Sequence, residues 1–292
     1  LVNAVDMVHQ AHRKLYVTVN SFPNDRELEL LPEYSLFLQK AGVDAVIVSD
    51  LGSIAVIKKA APDLAIHVST QANCCNSQAA TVYYQLGAQR VVLAREMTLE
   101  QIARLRDKTP PDLELEAFVH GAMCMAYSGR CLISSYLNGR SGNRGECTQP
   151  CRWGYALMEQ KRPGEYFPVE ENNGKTAILS SHDLCCIDFL DQIADAGVSS
   201  FKIEGRMKSA NYVATVVNAY RHAIDGDVCI DLLKRELNSV SHRPFSSGFY
   251  FNREQANPYN DGVYRSDCRF AAVVMGKSAD GYIVQQRNRF SV

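Results

Sequence analysis

A parallel α/β architecture, of the (β/α)8-barrel type, is the fold class this sequence predicts. Two observations carry it. Short β-branched runs alternate with helical stretches about every 20–25 residues, the pattern of βαβ units. The runs are continuously apolar, as in a sheet covered on both faces. In order they are LYVTVNS (15–21), AVIVSD (45–50), AIHVST (65–70), RVVLARE (90–96), LEAFVHG (115–121), TAILSS (176–181) and SFKIEG (200–205). Helical patterns lie between them: LPEYSLFLQKAG, SIAVIKKAAP, SQAATVYYQLG, TLEQIARLRDK and LCCIDFLDQIADAG. Gly42, Gly87 and Gly197 stand where helix C-terminal caps are expected. The first residues, VNAVDMVHQAHRK, read as a helix under way, and the last, RNRFSV, as mid-strand. A fragment truncated at both ends is therefore expected, with the first barrel units missing. An open doubly wound sheet is the alternative.

Composition narrows the function classes. The chain has 292 residues, 46% hydrophobic and 22% charged, ordinary for a soluble globular protein. Its formal net charge of −1 excludes a polyanion binder as a whole and leaves nucleic-acid contact to a local basic patch. No run of about twenty apolar residues is present, so no membrane partner is expected. Ten cysteines without signs of secretion point to a reducing cytoplasm, where clustered thiols mean metal or redox chemistry. Cys74, Cys75, Cys186, Cys229 and Cys268 read as small buried hydrophobes.

Four other thiols crowd one segment, Cys124, Cys131, Cys147 and Cys151, spaced C-x6-C-x15-C-x3-C among five glycines. Four arginines, Arg130, Arg140, Arg144 and Arg152, face a single acid there, Glu146. Four thiolates with local positive charge suit an anionic iron–sulfur cluster, and equally structural zinc. The segment opens a connection of about 55 residues after the fifth strand, too long for a plain loop without an organising centre. In a barrel the C-terminal strand ends form the catalytic mouth. Here they carry Asn20-Ser21, Ser49-Asp50, Ser69-Thr70-Gln71, Arg95-Glu96, His120-Gly121, Ser180-Ser181-His182-Asp183 and Glu204-Gly205-Arg206. Glu116, His120, Arg95 and Glu204 are the catalytic candidates, and Gln71, Lys202, Arg206, Arg152 and Trp153 the substrate-binding ones.

The run EAFVHGAMCMAYSGRCLIS, from Glu116 to Ser134, resembles the signature of the peptidase U32 family, the collagenase-like peptidases. YVTVNSFP, DAVIVSDLG, IHVSTQAN, CTQPCRW, SSHDLC, SFKIEGRMKSANYVATVVNAYR and SHRPFSSGFYF extend the resemblance over essentially the whole chain. It implies an incomplete β/α barrel over residues 1–226, with a cysteine-rich insertion at 121–175. It also implies a helical or loop extension over 227–268 and the start of a small C-terminal β domain over 269–292. It further implies a [4Fe–4S] cluster on Cys124, Cys131, Cys147 and Cys151, with Cys185 the rival for one position and zinc the alternative metal.

The segment CTQPCRWGYALMEQKRPGEYFPVEE most resembles the branch that makes 5-hydroxyuridine at the tRNA wobble position without O2, with prephenate as co-substrate. A tRNA anticodon loop, a family-member protein partner and a cytoplasmic setting follow from that branch. The family name implies the rival activity, proteolysis. No G-x-S-x-G or H-E-x-x-H supports it, and a Cys–His pair would have to come from His120 with Cys124 or Cys131. For RNA, Tyr127, Tyr136 and Trp153 among the arginines offer stacking surfaces, although Trp153 reads first as a cap over the cluster. In KIEGRMKS, Arg206 and Lys208 suit a dicarboxylate or phosphate, or else join Lys202 and Glu204 in an ion-pair network closing the barrel.

Overall fold

The structure is a computed structural model that describes residues 1–153, 182–251 and 264–289, with short strands at 157–158 and 166–167. The chain opens with α1 (Val2–Gln10), β1 (Tyr16–Val19), α2 (Asp25–Lys40), β2 (Ala45–Val48) and α3 (Leu51–Ala60). It continues through β3 (Ala65–Val68), α4 (Ser77–Gln85), β4 (Ala88–Val92), α5 (Leu99–Arg106) and β5 (Glu114–Ala122). Next come α6 (Ile133–Asn138), β6 (Leu157–Met158), β7 (Tyr166–Phe167), β8 (Asp183–Cys185), α7 (Leu190–Asp195) and β9 (Ser200–Ile203). The last elements are α8 (Ala210–Asp225), α9 (Ile230–Asn238), β10 (Phe245–Ser246), β11 (Ala272–Ser278) and β12 (Gly281–Gln286).

Two compact units result: Leu1–Glu204 with Phe245–Gly262, and Gly205–Pro244 with Val263–Val292. In the first, β1 to β5 lie side by side in chain order, every pair parallel, and β9 adds in parallel to β5. All four residues of β2 are buried, as expected of a strand covered on both faces. Leu38 of α2, Ile54 and Ile57 of α3 and Ile102 of α5 are fully buried with Ile66 of β3 and Leu115 of β5. The α/β class with a mainly parallel sheet thus matches the expectation. Among the described residues β1 pairs only with β2, and closure into a barrel is not seen. In the second unit, α8 packs on α9, and β11 and β12 form an antiparallel hairpin.

Six of the seven expected strands fall on described residues, and each coincides with a strand; TAILSS (176–181) lies outside them. Three expectations need correction. Helix α2 starts six residues before Leu31, because Asn24 and Glu27 close a reciprocal capping box at 3.0 and 2.9 Å. The run LCCIDFLDQIADAG is helical only over α7, while Asp183–Cys185 is strand β8. Strand β5 runs on past its last pairing with β4, at Glu116, and β8 pairs antiparallel with its residues 120–122, carrying β10 on its far side. In RNRFSV the strand has already ended at Gln286. The amides of Arg287 and Asn288 instead turn back to the carbonyl of Ala271.

Candidate functional site

Not every polar strand end is free for chemistry. Asp50 caps α3 through the amide of Ser53 at 2.7 Å, so its place after β2 is structural. Next to it a polar group assembles over β1 to β3. Asn20 donates to Ser69 Oγ at 3.4 Å, Ser49 Oγ to Gln71 Oε1 at 3.4 Å, and the Gln71 amide to Ser69 Oγ at 3.2 Å. Gln71 therefore stands at the strand ends, as the sequence suggested.

Strand β5 carries the charged side of the site. Its period of two puts Glu116 and Phe118 on one face and Leu115 and Ala117 on the other, and a register shift against β9 between Phe118 and His120 then breaks the alternation. Glu116 accepts from Lys202 Nζ at 2.6 Å, Ser200 Oγ at 2.8 Å and Arg90 at 2.9 Å, with its side chain 6% exposed. Burial opposes its ionisation most strongly. The Lys202 charge, the hydrogen bonds from Lys202 and Ser200, and Arg90 together outweigh burial and hold the carboxyl below its ordinary range. Arg90 also pairs with Glu114 at 2.6 Å and lies over the Tyr16 ring. His67 meets that ring edge-on, and burial, aided by Arg90, lowers its pKa to about 4. Lys202 is thus committed to Glu116, and not to the network with Glu204, Arg206 and Lys208 raised for it; Glu204 pairs with Arg95 instead. Arg90, Ser200, His67 and Tyr16 were missed. The signal was an ionisable residue inside an apolar strand, His67 in AIHV and Arg90 before VVL.

A second pair lies toward the strand ends. Arg95 donates to the Ala122 carbonyl at 2.7 Å and to Glu204 at 3.0 Å, with its guanidinium over the Phe118 ring at 3.7 Å. Gly121 makes this closeness possible. Its φ is +107°, and a Cβ there would lie 2.7 Å from both the Cβ and the carbonyl oxygen of Glu204. Arg95, Glu204 and the end of β5 therefore form one joint, two residues before Cys124. His120 is 1% exposed, tilted against the Phe245 ring, and its carbonyl accepts from the Glu204 amide. It is buried where Cys124 is exposed, a poor setting for the Cys–His pair of a peptidase. Glu96 is pushed up by burial. Arg206 falls in the second unit and is exposed there.

The cysteine segment packs over the ends of β1 and β3. Asn73 donates to the Ser128 carbonyl at 3.1 Å and accepts from Arg130 at 2.9 Å. A Cβ on Gly129 would lie 3.1 Å from the Gln71 side chain, so glycine lets the segment approach. The Phe22 amide donates to Asn143 at 2.9 Å, and Arg144 grips Glu27 with two bonds, at 2.6 and 3.0 Å. Arg144 and the Asn24 amide draw the Glu27 pKa down to about 2.

Within the segment, Ser134 and Asn138 on α6 bond Thr148, which brings the two cysteine pairs' stretches together. Gly142 sits at the meeting point: a Cβ on it would be 3.9 Å from Cys147 Sγ and 3.8 Å from the Cys131 carbonyl oxygen. Cys185 lies opposite His120 in the β5–β8 register, not opposite Cys124. Arg152 bonds Gln149, and Trp153 is 41% exposed.

As donors the four thiols fit a thiolate-ligated centre. Cys124 and Cys147 are exposed and Cys131 and Cys151 half-buried, unlike Cys74, whose burial pushes its pKa up to about 12. Among the described residues no group of three or more His, Cys, Asp or Glu stands ready to hold a metal ion. The expected ligand set is therefore present in kind and not gathered.

Several known proteins are similar to this chain. The "Uncharacterized protease MJ0090" of Methanocaldococcus jannaschii is 41% identical over 260 residues, 86% of this chain and 62% of that protein. "tRNA hydroxylation protein P" of Escherichia coli is 34% identical, covering 99% of this chain and 74% of the relative. The "23S rRNA 5-hydroxycytidine C2501 synthase" of the same species is 38% identical over 77% of this chain and 33% of the relative. This chain thus spans about three fifths of the length of the first relative. Among solved structures, that of the U32 peptidase Mk0906 overlaps 42% of this chain and 51% of that one, with 20% identity and a TM-score of 0.37. The family model for peptidase family U32 matches residues 1–260, and the chain belongs to that family.

Proposed function

We propose that this chain is the core of an RNA-modifying enzyme that forms 5-hydroxyuridine at the tRNA wobble position without O2, with prephenate as co-substrate. The observation that carries this reading is a cysteine segment docked over polar strand ends, in a chain 34% identical along 99% of its length to a tRNA hydroxylation protein. The sheet is taken as part of a (β/α)8-type barrel, whose mouth would hold the reacting base. The setting is the cytoplasm, where tRNA is found, with a second family member as the protein partner.

Cys124, Cys131, Cys147 and Cys151 would hold a [4Fe–4S] cluster; Cys147 is favoured over Cys185 because it shares the Gly142 turn with Cys131. A bound cluster supplies redox or Lewis-acid chemistry. The chain's own residues position. Arg95 and Glu204 fix the end of β5 before Cys124, and the pairing of Glu116 with Lys202 and Arg90 holds the strands below. Gln71, Asn20 and Ser69 present neutral donors and acceptors able to read a base edge.

The test is complementation. The full protein is expressed in a strain lacking its own tRNA hydroxylation proteins, and its tRNA nucleosides are measured by mass spectrometry. Restored 5-hydroxyuridine derivatives are expected, and their absence with soluble protein would overturn the reading. Iron measured after anaerobic purification should fall in Cys147→Ser and persist in Cys185→Ser; zinc in place of iron would refute the cluster. Gelatin cleavage that survives Cys147→Ser would favour the peptidase reading instead.

A further inference from the structure

Helix α6 turns one face inward and leaves the other without cover. Ser134 and Asn138, one turn apart, bond Thr148 at 3.2 and 2.8 Å and anchor the inner face. Leu132 and Tyr136 have the same spacing on the opposite side, and they are 75% and 89% exposed. A leucine and a tyrosine this exposed contribute almost nothing to the core, so the fold does not explain them. The helix ends at Gly139 in the left-handed conformation, and Arg140, exposed, follows directly. Glu146 is the only acid in residues 121–153, against four arginines. Arg144 is committed to Glu27, Arg130 bonds Asn73 and Arg152 bonds Gln149, and Arg140 stands exposed beside the ridge.

We infer that the Leu132–Tyr136 ridge, with Arg140 at its end, is a stacking platform for an unpaired base of a single-stranded RNA loop. An exposed aromatic plane and apolar neighbour accept a base face, and the adjacent guanidinium takes the phosphate that follows. The charge selects the partner: the chain as a whole carries −1, and this segment is where a polyanion meets net positive charge. The inference rests on the RNA reading above and assigns a place on the surface where the loop is held while its target base enters the strand-end site.

The experiment measures binding of a fluorescein-labelled tRNA anticodon stem–loop to the full chain by anisotropy. The control is the same RNA with its loop annealed to a complementary strand. Wild type should prefer the open loop. Tyr136→Ala should weaken loop binding by about five- to hundredfold while leaving duplex binding unchanged, the range for loss of one stacked base. Tyr136→Phe should retain wild-type affinity, since the ring and not the hydroxyl is at work. Arg140→Gln should lower the slope of log affinity against log salt by about one. Tyr136 and Arg140 are both exposed, so neither change touches the core, and circular dichroism of each variant checks the fold. Tyr136→Ala with wild-type loop affinity would overturn the platform. A wild type that binds neither RNA would sink the RNA reading itself.

Discussion

Replacing Glu116 by glutamine tests whether the charged cluster inside the sheet is structural. The change keeps the shape of the side chain and removes its charge, while Lys202 stays 2.6 Å away and Arg90 2.9 Å away. Removing one partner of a buried pair costs about 3–5 kcal/mol, because the remaining charge is uncompensated. Two features reduce that figure here. Arg90 keeps Glu114 at 2.6 Å, and Lys202 is 28% exposed and reaches some water. A loss of about 2–4 kcal/mol is expected. With a urea slope near 2 kcal/mol/M, the midpoint should fall by about 1–2 M in equilibrium unfolding followed by circular dichroism. The double variant Glu116→Leu with Lys202→Met should recover at least half of the loss, since an apolar pair replaces the ion pair.

The pH dependence supplies a second check. Glu116 has a depressed folded pKa, so its contribution is complete above the ordinary carboxylate value of 4.5 and is lost as pH falls through the folded value. Glu116→Gln should flatten that part of the acid limb. A midpoint within about 0.2 M of wild type would refute the structural role and return Glu116 to the catalytic candidates.

Further outcomes follow from the same geometry. His67 titrates near 4 when folded against 6.5 when unfolded, so the unfolded chain binds the extra proton between those values. Stability should therefore fall as pH drops from about 6.5 to 4, with a limiting slope of about 1.4 kcal/mol per pH unit, and His67→Phe should remove that limb from a urea titration. Gly121→Ala forces a side chain into positive φ and into Glu204, costing about 1–3 kcal/mol for the backbone alone. It should also lower the iron content of anaerobically purified protein, because the joint before Cys124 shifts; unchanged stability would contradict the close approach. Tyr250 donates from its buried hydroxyl to the Phe118 carbonyl at 2.6 Å, and Tyr250→Phe should cost about 1–2 kcal/mol in thermal or urea unfolding.

The sequence by itself determined the strands β1 to β5 and β9 and the cysteine segment. An apolar β-branched run can lie only in a covered sheet, and four thiols at C-x6-C-x15-C-x3-C mark their own segment whatever the fold around them. The parallel order of β1 to β5 followed from helices too regular to be anything but crossovers. Tertiary structure decided the rest, because it depends on which distant residues meet. Strand β8 pairs with a stretch of β5, residues 120–122, that β4 does not reach, a length difference that no pattern within LCCIDFLDQIADAG reveals. Asp50 and Glu116 are both carboxylates near strands. One caps a helix and the other is locked between Lys202 and Arg90, a distinction set by register across neighbouring strands. Likewise, Tyr136 stands in the sequence as one of three aromatics among the arginines, and only the packing of Ser134 and Asn138 on Thr148 fixes that it, with Leu132, is left to solvent.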